Sequence, residues 1–252
     1  MNRLFFEYHA HSTGAFVTLT YNDDNLPFAV DEETGLCIPT LVKKDLQLFM
    51  KRLRKLTGKG LRFFAVGEYG STTARPHYHL LLFGYPYKFP IGKAISDSWK
   101  KGFVSVGSIT GASINYVTKY VLIGGVDPEF FDLLDRFDAQ RPFMFCSRRP
   151  FIGYDYLTDD MIDYHRKTGS LLLTRDGYKQ PLPRIYRGKI FNEFTLRKLN
   201  EQMRLFAVLK SDKKWRDEVR KFGLKRACLL RDQRIEDSIR KIEKKLKHNQ
   251  TI

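Results

Sequence analysis

The sequence predicts an α+β fold: a central antiparallel sheet with helices packed on one face, followed by a basic helical C-terminal extension. Three observations carry this. Two apolar runs, Leu61 to Tyr69 and Tyr78 to Gly84, are joined by one short polar connection, which makes them antiparallel neighbours. Segments of helical and strand-like periodicity follow in the order strand, helix, strand, strand, helix-like segment, strand, helix, the pattern of a sheet with helices layered on it. From about Phe191 the pattern changes to long helices, and residues 196–252 carry 18 Lys or Arg against 8 Asp or Glu.

The first strand is Phe16–Val17–Thr18–Leu19–Thr20–Tyr21, β-branched and aromatic, closed by the turn formers Asn22–Asp23–Asp24–Asn25. From Lys43 to Arg54 the apolar residues Leu46, Phe49, Met50 and Leu53 recur at helical spacing, and Gly58 and Gly60 stop the helix. After the strand pair, Lys93 to Trp99 predicts a short helix, Gly102 to Val106 a strand, and Ser113 to Val121 a helix with Ile114, Val117 and Val121 on its apolar side. Residues 122–190 are rich in turn formers and read as loops with short elements around the sheet. Farther on, Ile235, Ile239, Ile242 and Leu246 follow a 4-3-4 spacing, an apolar stripe on a basic helix that either packs on the domain or serves as an arm for DNA.

Composition narrows the function. With 42% apolar, 14% aromatic and 29% charged residues the chain is globular and not disordered. Its 44 Lys plus Arg against 28 Asp plus Glu leave a net charge of +16, which draws it to a polyanion, nucleic acid first. No run of 18 apolar residues is present to span a bilayer, and Glu7 interrupts the short apolar start, which excludes a signal peptide. The expected location is the cytoplasm, with no membrane partner. Cys37, Cys146 and Cys228 are too few and too far apart for a disulfide framework or zinc cluster, and each reads as a buried small apolar group. A Gly-x-x-x-x-Gly-Lys-Ser/Thr loop is missing, so no attached helicase is expected.

Two groups of residues have the chemistry of a site. His77 and His79 flank Tyr78 at the start of an apolar strand, and the period of two points both imidazoles the same way. Two ligands do not hold a labile ion, and Glu68, brought across by hairpin pairing, is the natural third. Such a set suits Mg²⁺ or Mn²⁺ where a phosphate oxygen is to be polarised, and Zn²⁺ would accept the same ligands. Tyr116 and Tyr120, four apart on a helix, share one face with Lys119 on an adjoining track. A phenol with a reference pKa near 10 needs help to attack, and an ammonium that favours the phenolate or neutralises the attacked phosphate gives it. Structural readings compete: a core histidine pair, and tyrosines spanning core and rim.

Together these stretches resemble the replication initiators of small single-stranded DNA phages, the gokushovirus-like branch of the microviruses, within the HUH endonucleases. The resemblance rests on Phe16 to Tyr21 with the acidic residues and Leu26–Pro27 after it, Leu46 to Arg54, Phe64 to Gly70, Arg75 to Gly84, Tyr116 to Tyr120, and Ser147–Arg148–Arg149–Pro150 with Gly153. These fall in order over roughly residues 15–155. It implies a HUH-type nicking domain over residues 1–190 with a helical extension over 191–252. It further implies that His77 and His79, with Glu68, bind a divalent ion (Mg²⁺ or Mn²⁺), and that Tyr116 and Tyr120 are the paired tyrosines with Lys119 between them. One tyrosine would cut at the origin and stay joined to the 5′ phosphate; the other would resolve the junction. The implied partners are single-stranded DNA at a replication origin and the host helicase and polymerase, in the bacterial cytoplasm. Arg62, Arg75, Lys88 and Lys93 are expected strand contacts by charge and proximity to these motifs, and Arg148 and Arg149 by the Arg-Arg-Pro match. The alternatives are a non-catalytic single-stranded nucleic-acid-binding protein and a relaxase or transposase of the same tyrosine class.

Overall fold

The computed structural model describes residues 1–70, 73–123 and 128–250, and within these not the side chains of 119–123, 128 and 244–250. In chain order the elements are α1 (Asn2–His9), β1 (Gly14–Tyr21), β2 (Phe28–Val30), β3 (Cys37–Pro39), α2 (Lys43–Thr57), β4 (Arg62–Tyr69), β5 (Pro76–Phe83), α3 (Ile91–Trp99), β6 (Gly102–Gly107), α4 (Gly111–Ile123), α5 (Pro128–Arg136), β7 (Phe143–Cys146), α6 (Asp159–Thr168), β8 (Leu172–Arg175), β9 (Tyr178–Pro181), α7 (Arg184–Ile190), α8 (Glu193–Phe222) and α9 (Leu224–Gln250). They form two compact units, Met1–Tyr156 and Leu157–Ile252.

The first unit is built on a five-stranded sheet in the order β6-β1-β5-β4-β7, with every neighbouring pair antiparallel. This is the predicted α+β arrangement, and the predicted β4–β5 pair lies at its heart. β5 reads as a nearly continuous apolar run because it is buried on both sides. On one face Val17, Leu19 and Tyr21 of β1, Phe63 and Ala65 of β4, and Tyr78, Leu80 and Leu82 of β5 meet Leu46, Phe49, Met50 and Leu53 of α2 and Ile95 and Trp99 of α3. Each such side chain contributes about 1.5–3 kcal/mol of burial. α2 ends at Gly58, whose φ of +92° only glycine adopts without strain.

Helices cover the second face as well, where the sequence predicted one covered face. Leu4 of α1 and Ile114 and Val117 of α4 pack with Phe64, Val66, Leu81 and Phe83. α1 went unread because its apolar residues are few, and the signal for a second layer was already present in the double-sided burial of β5. α4 starts on a reciprocal cap: Thr110 Oγ1 accepts from the Ser113 amide at 3.1 Å, and Ser113 Oγ accepts from the Thr110 amide at 2.7 Å.

Residues 122–190, read as loops with short elements, add a strand to the central sheet. β7 pairs with β4 through Phe64↔Cys146 to Gly67↔Phe143. The β2–β3 hairpin makes a satellite cluster in which Ala29 and Ile38 pack with Leu134, Phe137 and Ala139. Of the cysteines, Cys37 and Cys228 are exposed and only Cys146 is half-buried, against the expectation of burial for all three.

The second unit, Leu157–Ile252, begins with α6, capped by Thr158 and ended by Gly169, and a β8–β9 hairpin that turns on Asp176 and Gly177, both at positive φ. α8 is capped by Asn192 accepting from the Thr195 amide at 2.8 Å. It meets α9 near their turn, where Arg234 makes two hydrogen bonds to Glu218 and Arg231 lies over the Trp215 ring. Ile235, Ile239 and Ile242, predicted as a stripe, are exposed, as are Leu205, Phe206, Val208 and Leu209 on α8. No helix among the described residues is long and apolar enough to cross a membrane.

Candidate metal centre and tyrosine helix

The sheet register decides what surrounds the histidines. Directly opposed residues of antiparallel strands project on the same face, so each cross-strand row is a line of neighbouring side chains. One row runs Glu68↔His77↔Thr20↔Phe103 across β4, β5, β1 and β6. The next runs Val66↔His79↔Thr18↔Ser105. The alternation that buries Val17, Leu19 and Tyr21 on the helix-packed face therefore puts Thr18 and Thr20 beside the histidines.

Glu68, His77 and His79 converge as the hairpin predicted, with ligand atoms all within 4.8 Å of one another. Oε1 of Glu68 lies 2.8 Å from Nε2 of His77 and 2.9 Å from Nε2 of His79. The carboxylate is 4% exposed; burial raises its pKa, and hydrogen bonds from the two imidazoles outweigh that and hold it below the usual carboxylate range. Its other oxygen, Oε2, is buried and meets no hydrogen-bond partner among the described residues. A buried carboxylate oxygen left so is costly without a cation to face.

The remaining ring nitrogens are tied down. Nδ1 of His77 lies 3.0 Å from the Arg75 carbonyl, and Nδ1 of His79 lies 2.9 Å from Thr18 Oγ1. A proton on each Nδ1, donated to these oxygens, leaves both Nε2 lone pairs aimed at the carboxylate, the tautomer a metal ligand requires. The Phe16 ring stacks on His79 at 5.7 Å between centroids and limits its rotation. The donor set thus fits a divalent ion: three ligands, an unsatisfied carboxylate oxygen and oriented imidazoles.

α4 brings Tyr116 to this cluster. Ile114, Val117 and Thr118 face inward, which turns Tyr116 to the rim at 38% exposure. Its hydroxyl lies 3.4 Å from Nε2 of His79, and its ring meets the His79 ring edge-on at 5.0 Å. Lys119 and Tyr120 fall within α4, but their side chains are outside the described residues.

The expected strand contacts are mostly not gathered here. Arg62 is a correction: its guanidinium donates to both oxygens of Glu7 and to the carbonyls of Pro150 and Phe151, so its donors are already engaged within the fold. Arg75 likewise donates to the Tyr21 carbonyl and to Asp23, bracing the turn after β1. Lys88 lies beyond the Phe83 end of β5, away from the histidines, with its ammonium over the Tyr87 ring. Lys93 is exposed on α3, against the opposite face. Arg148 and Arg149 are exposed just past β7, whose register sets them toward the Arg62 end of β4.

Sequence reasoning missed Glu7, fully buried in α1. Burial raises its pKa, but hydrogen bonds from His11, Arg62 and the Gly153 amide, with the Arg62 charge, lower it to about 2. With His11 and Asp155 it forms a second group of ligand-type atoms. A cation there would compete with the Arg62 guanidinium for one carboxylate, so the group is assigned to holding α1, β4 and the 150–155 turn together. An acidic residue inside an otherwise apolar N-terminal stretch was the available signal. Thr18 was also missed, and its signal was a polar residue sharing a strand face with the histidines' side of the sheet.

Known proteins agree with this geometry. A sequence profile of a replication-associated protein family, described by its ORF2 members, matches residues 14–123, from the first residue of β1 to the last of α4. The chain is 34% identical over 122 residues to "Replication-associated protein ORF2" of Spiroplasma virus 4, covering 42% of this chain and 37% of that protein. It is 28% identical over 210 residues to "Replication-associated protein VP4" of Bdellovibrio phage phiMH2K, covering 73% and 60%. Over 136 residues it is 28% identical to "Replication-associated protein ORF4" of Chlamydia phage 1, covering 46% and 32%. The chain therefore spans less than two thirds of the length of each of these relatives. No solved structure gives a significant match. On its sheet, its Glu68–His77–His79 cluster and these relatives, the chain belongs to the HUH superfamily, among the Rep/ORF2-like rolling-circle replication initiators related to phage Rep proteins.

Proposed function

We propose that this chain nicks single-stranded DNA at a phage replication origin by tyrosine attack, holds the cut strand as a 5′-phosphotyrosyl intermediate and later rejoins it. The observation that carries the reading is the Tyr116 hydroxyl at 3.4 Å from Nε2 of His79, at the edge of a three-ligand cluster. A divalent ion, Mg²⁺ or Mn²⁺, held by Glu68, His77 and His79 would polarise a phosphate oxygen and stabilise the charge that builds up there.

The protein's own part is positioning. Thr18 and the Arg75 carbonyl fix the imidazoles, and α4 holds Tyr116 over them with its hydroxyl accessible. The Tyr116 oxygen bonds to phosphorus as the bond from phosphorus to the 3′ oxygen breaks. The phenol gives up its proton, the departing oxygen takes one up, and the strand leaves as a 3′-hydroxyl. Attack by an incoming 3′-hydroxyl reverses the exchange, so neither step needs a nucleotide cofactor. Tyr120 is the partner that resolves the junction, or exchanges roles with Tyr116, and Lys119 favours the phenolate or neutralises the attacked phosphate. The substrate is single-stranded origin DNA in the cytoplasm of a bacterial host, replicated by host helicase and polymerase. Lys88, Lys93, Arg148 and Arg149, exposed but away from the cluster, hold more distant parts of the strand.

The test is incubation with labelled circular single-stranded phage DNA and Mn²⁺, followed by denaturing electrophoresis of the parent, Tyr116→Phe, Tyr120→Phe and the double variant. A covalent adduct that the double variant loses is expected. Tight DNA binding with no adduct in the parent overturns the reading.

A further inference from the structure

Phe103 is a large aromatic side chain that folding leaves in water. It is 68% exposed, on the edge strand β6. Its backbone is held firmly. Gly102, at φ +150°, packs so close to β1 that an added Cβ would lie 2.3 Å from the Thr20 carbonyl oxygen and the Asn22 amide nitrogen. On the other side, the Val104 next to it is partly buried against the main core. The ring is thus an exposed group on a rigid support.

Its position gives it a use. Phe103 ends the row Glu68↔His77↔Thr20↔Phe103, so it shares the face of the metal-ligand cluster. Adjacent strands are spaced about 4.8 Å apart, which sets Phe103 about 10 Å from His77. At about 3.4 Å per stacked nucleotide that is on the order of three nucleotides. Thr20, between them, is too small to block the path. Lys100, exposed and in a left-handed conformation, and Lys101 precede it on the chain and supply positive charge beside the ring. A flat apolar face flanked by cations suits a nucleobase with its phosphate.

We propose that Phe103 is a stacking platform for a base of the DNA strand, a few nucleotides from the phosphate under attack, and that it sets the register in which the strand enters. This rests on the reading of the cluster as a single-stranded DNA site. The base is recognised by its π-face, so the platform tolerates any base and positions rather than selects. Because the ring is exposed, its removal leaves the core intact.

The experiment measures binding of a short oligothymidine carrying one 2-aminopurine to the full chain, without added metal so that no cleavage intervenes. The parent is expected to quench the 2-aminopurine, with Phe103→Ala losing the quench and weakening affinity about tenfold. Phe103→Trp is expected to keep both, with thermal unfolding of all three alike. Unchanged affinity and quench in Phe103→Ala overturns the platform, as does Phe103→Trp behaving like Phe103→Ala. A parent that quenches in a Phe103-dependent way but forms no tyrosyl adduct keeps the platform and rejects nicking. A parent that forms the adduct while Phe103→Ala binds normally rejects the platform alone.

Discussion

The Tyr116 hydroxyl and Nε2 of His79, thirty-seven residues apart in sequence, lie 3.4 Å apart in the fold. The same His79 ring is gripped from the other side by Thr18, whose Oγ1 is 2.9 Å from Nδ1. Attacking group, ligand and ligand support thus come from α4, β5 and β1, three elements that no local motif joins.

Thr18 is expected to matter to the ion although it does not touch it. Thr18→Val keeps the shape but removes the oxygen that orients Nδ1, and should weaken Mn²⁺ binding about 10- to 100-fold. His77→Ala, His79→Ala and Glu68→Gln should each weaken it further. Titration calorimetry with Mn²⁺ checks the series, and a Thr18→Val variant as tight as the parent would show that His79 is oriented by Phe16 alone.

Glu7 makes stability depend on acid pH. Its pKa falls from 4.5 to about 2 on folding. A lowered pKa stabilises the fold above the unfolded value, and that contribution is lost as pH falls from about 4.5 toward 2. Its size is about 3 kcal/mol. Urea unfolding of the parent and Glu7→Gln across this range should show a gap near neutrality that narrows on acidification. A gap constant with pH would remove Glu7 from the account.

Arg62 should behave as a structural residue. Arg62→Met leaves the Glu7 carboxylate buried without its cation, which should destabilise the chain by about 3–5 kcal/mol. A lowered unfolding midpoint in urea, with an unchanged salt slope for DNA binding measured under folding conditions, is the expected pair of results. The reverse pair would restore Arg62 as a strand contact.

Gly102→Ala should loosen β6. The new methyl meets backbone atoms of β1 at 2.3 Å, so the strand must shift away. Amide hydrogen exchange is expected to speed up in β6 while the amides of β4 and β5 stay protected. Uniform exchange across the sheet would contradict it.

The basic helices are expected to contribute charge to DNA binding. Truncation after Asn200 removes most of the excess Lys and Arg, and log affinity against log salt should become shallower by about 0.7 for each phosphate no longer neutralised. An unchanged slope would assign those charges to solvation.

The strands and the helix from Lys43 were legible because burial there is periodic: Leu46, Phe49, Met50 and Leu53 at helical spacing, Val17, Leu19 and Tyr21 at spacing two. The same alternation put His77 and His79 on one side, and the short β4–β5 connection brought Glu68 opposite them. β7 was not legible, since Phe143 to Cys146 is too short to stand out from the turns around it. Arg62 was misread because charge and proximity to a motif say nothing about a guanidinium's partners; the partner, Glu7, lies fifty-five residues away.

The sequence alone therefore determined the antiparallel core of the sheet, the ligand triad and the basic character of the last quarter, because each follows from local periodicity, hairpin adjacency or composition. Only the tertiary structure decided that helices cover both faces, that Thr18 and Arg75 orient the imidazoles, that Arg62 is held by Glu7, and that Phe103 stands exposed in line with His77. These are relations between elements far apart in the chain, fixed by strand order and register across the whole sheet, and periodicity within one segment carries no information about them.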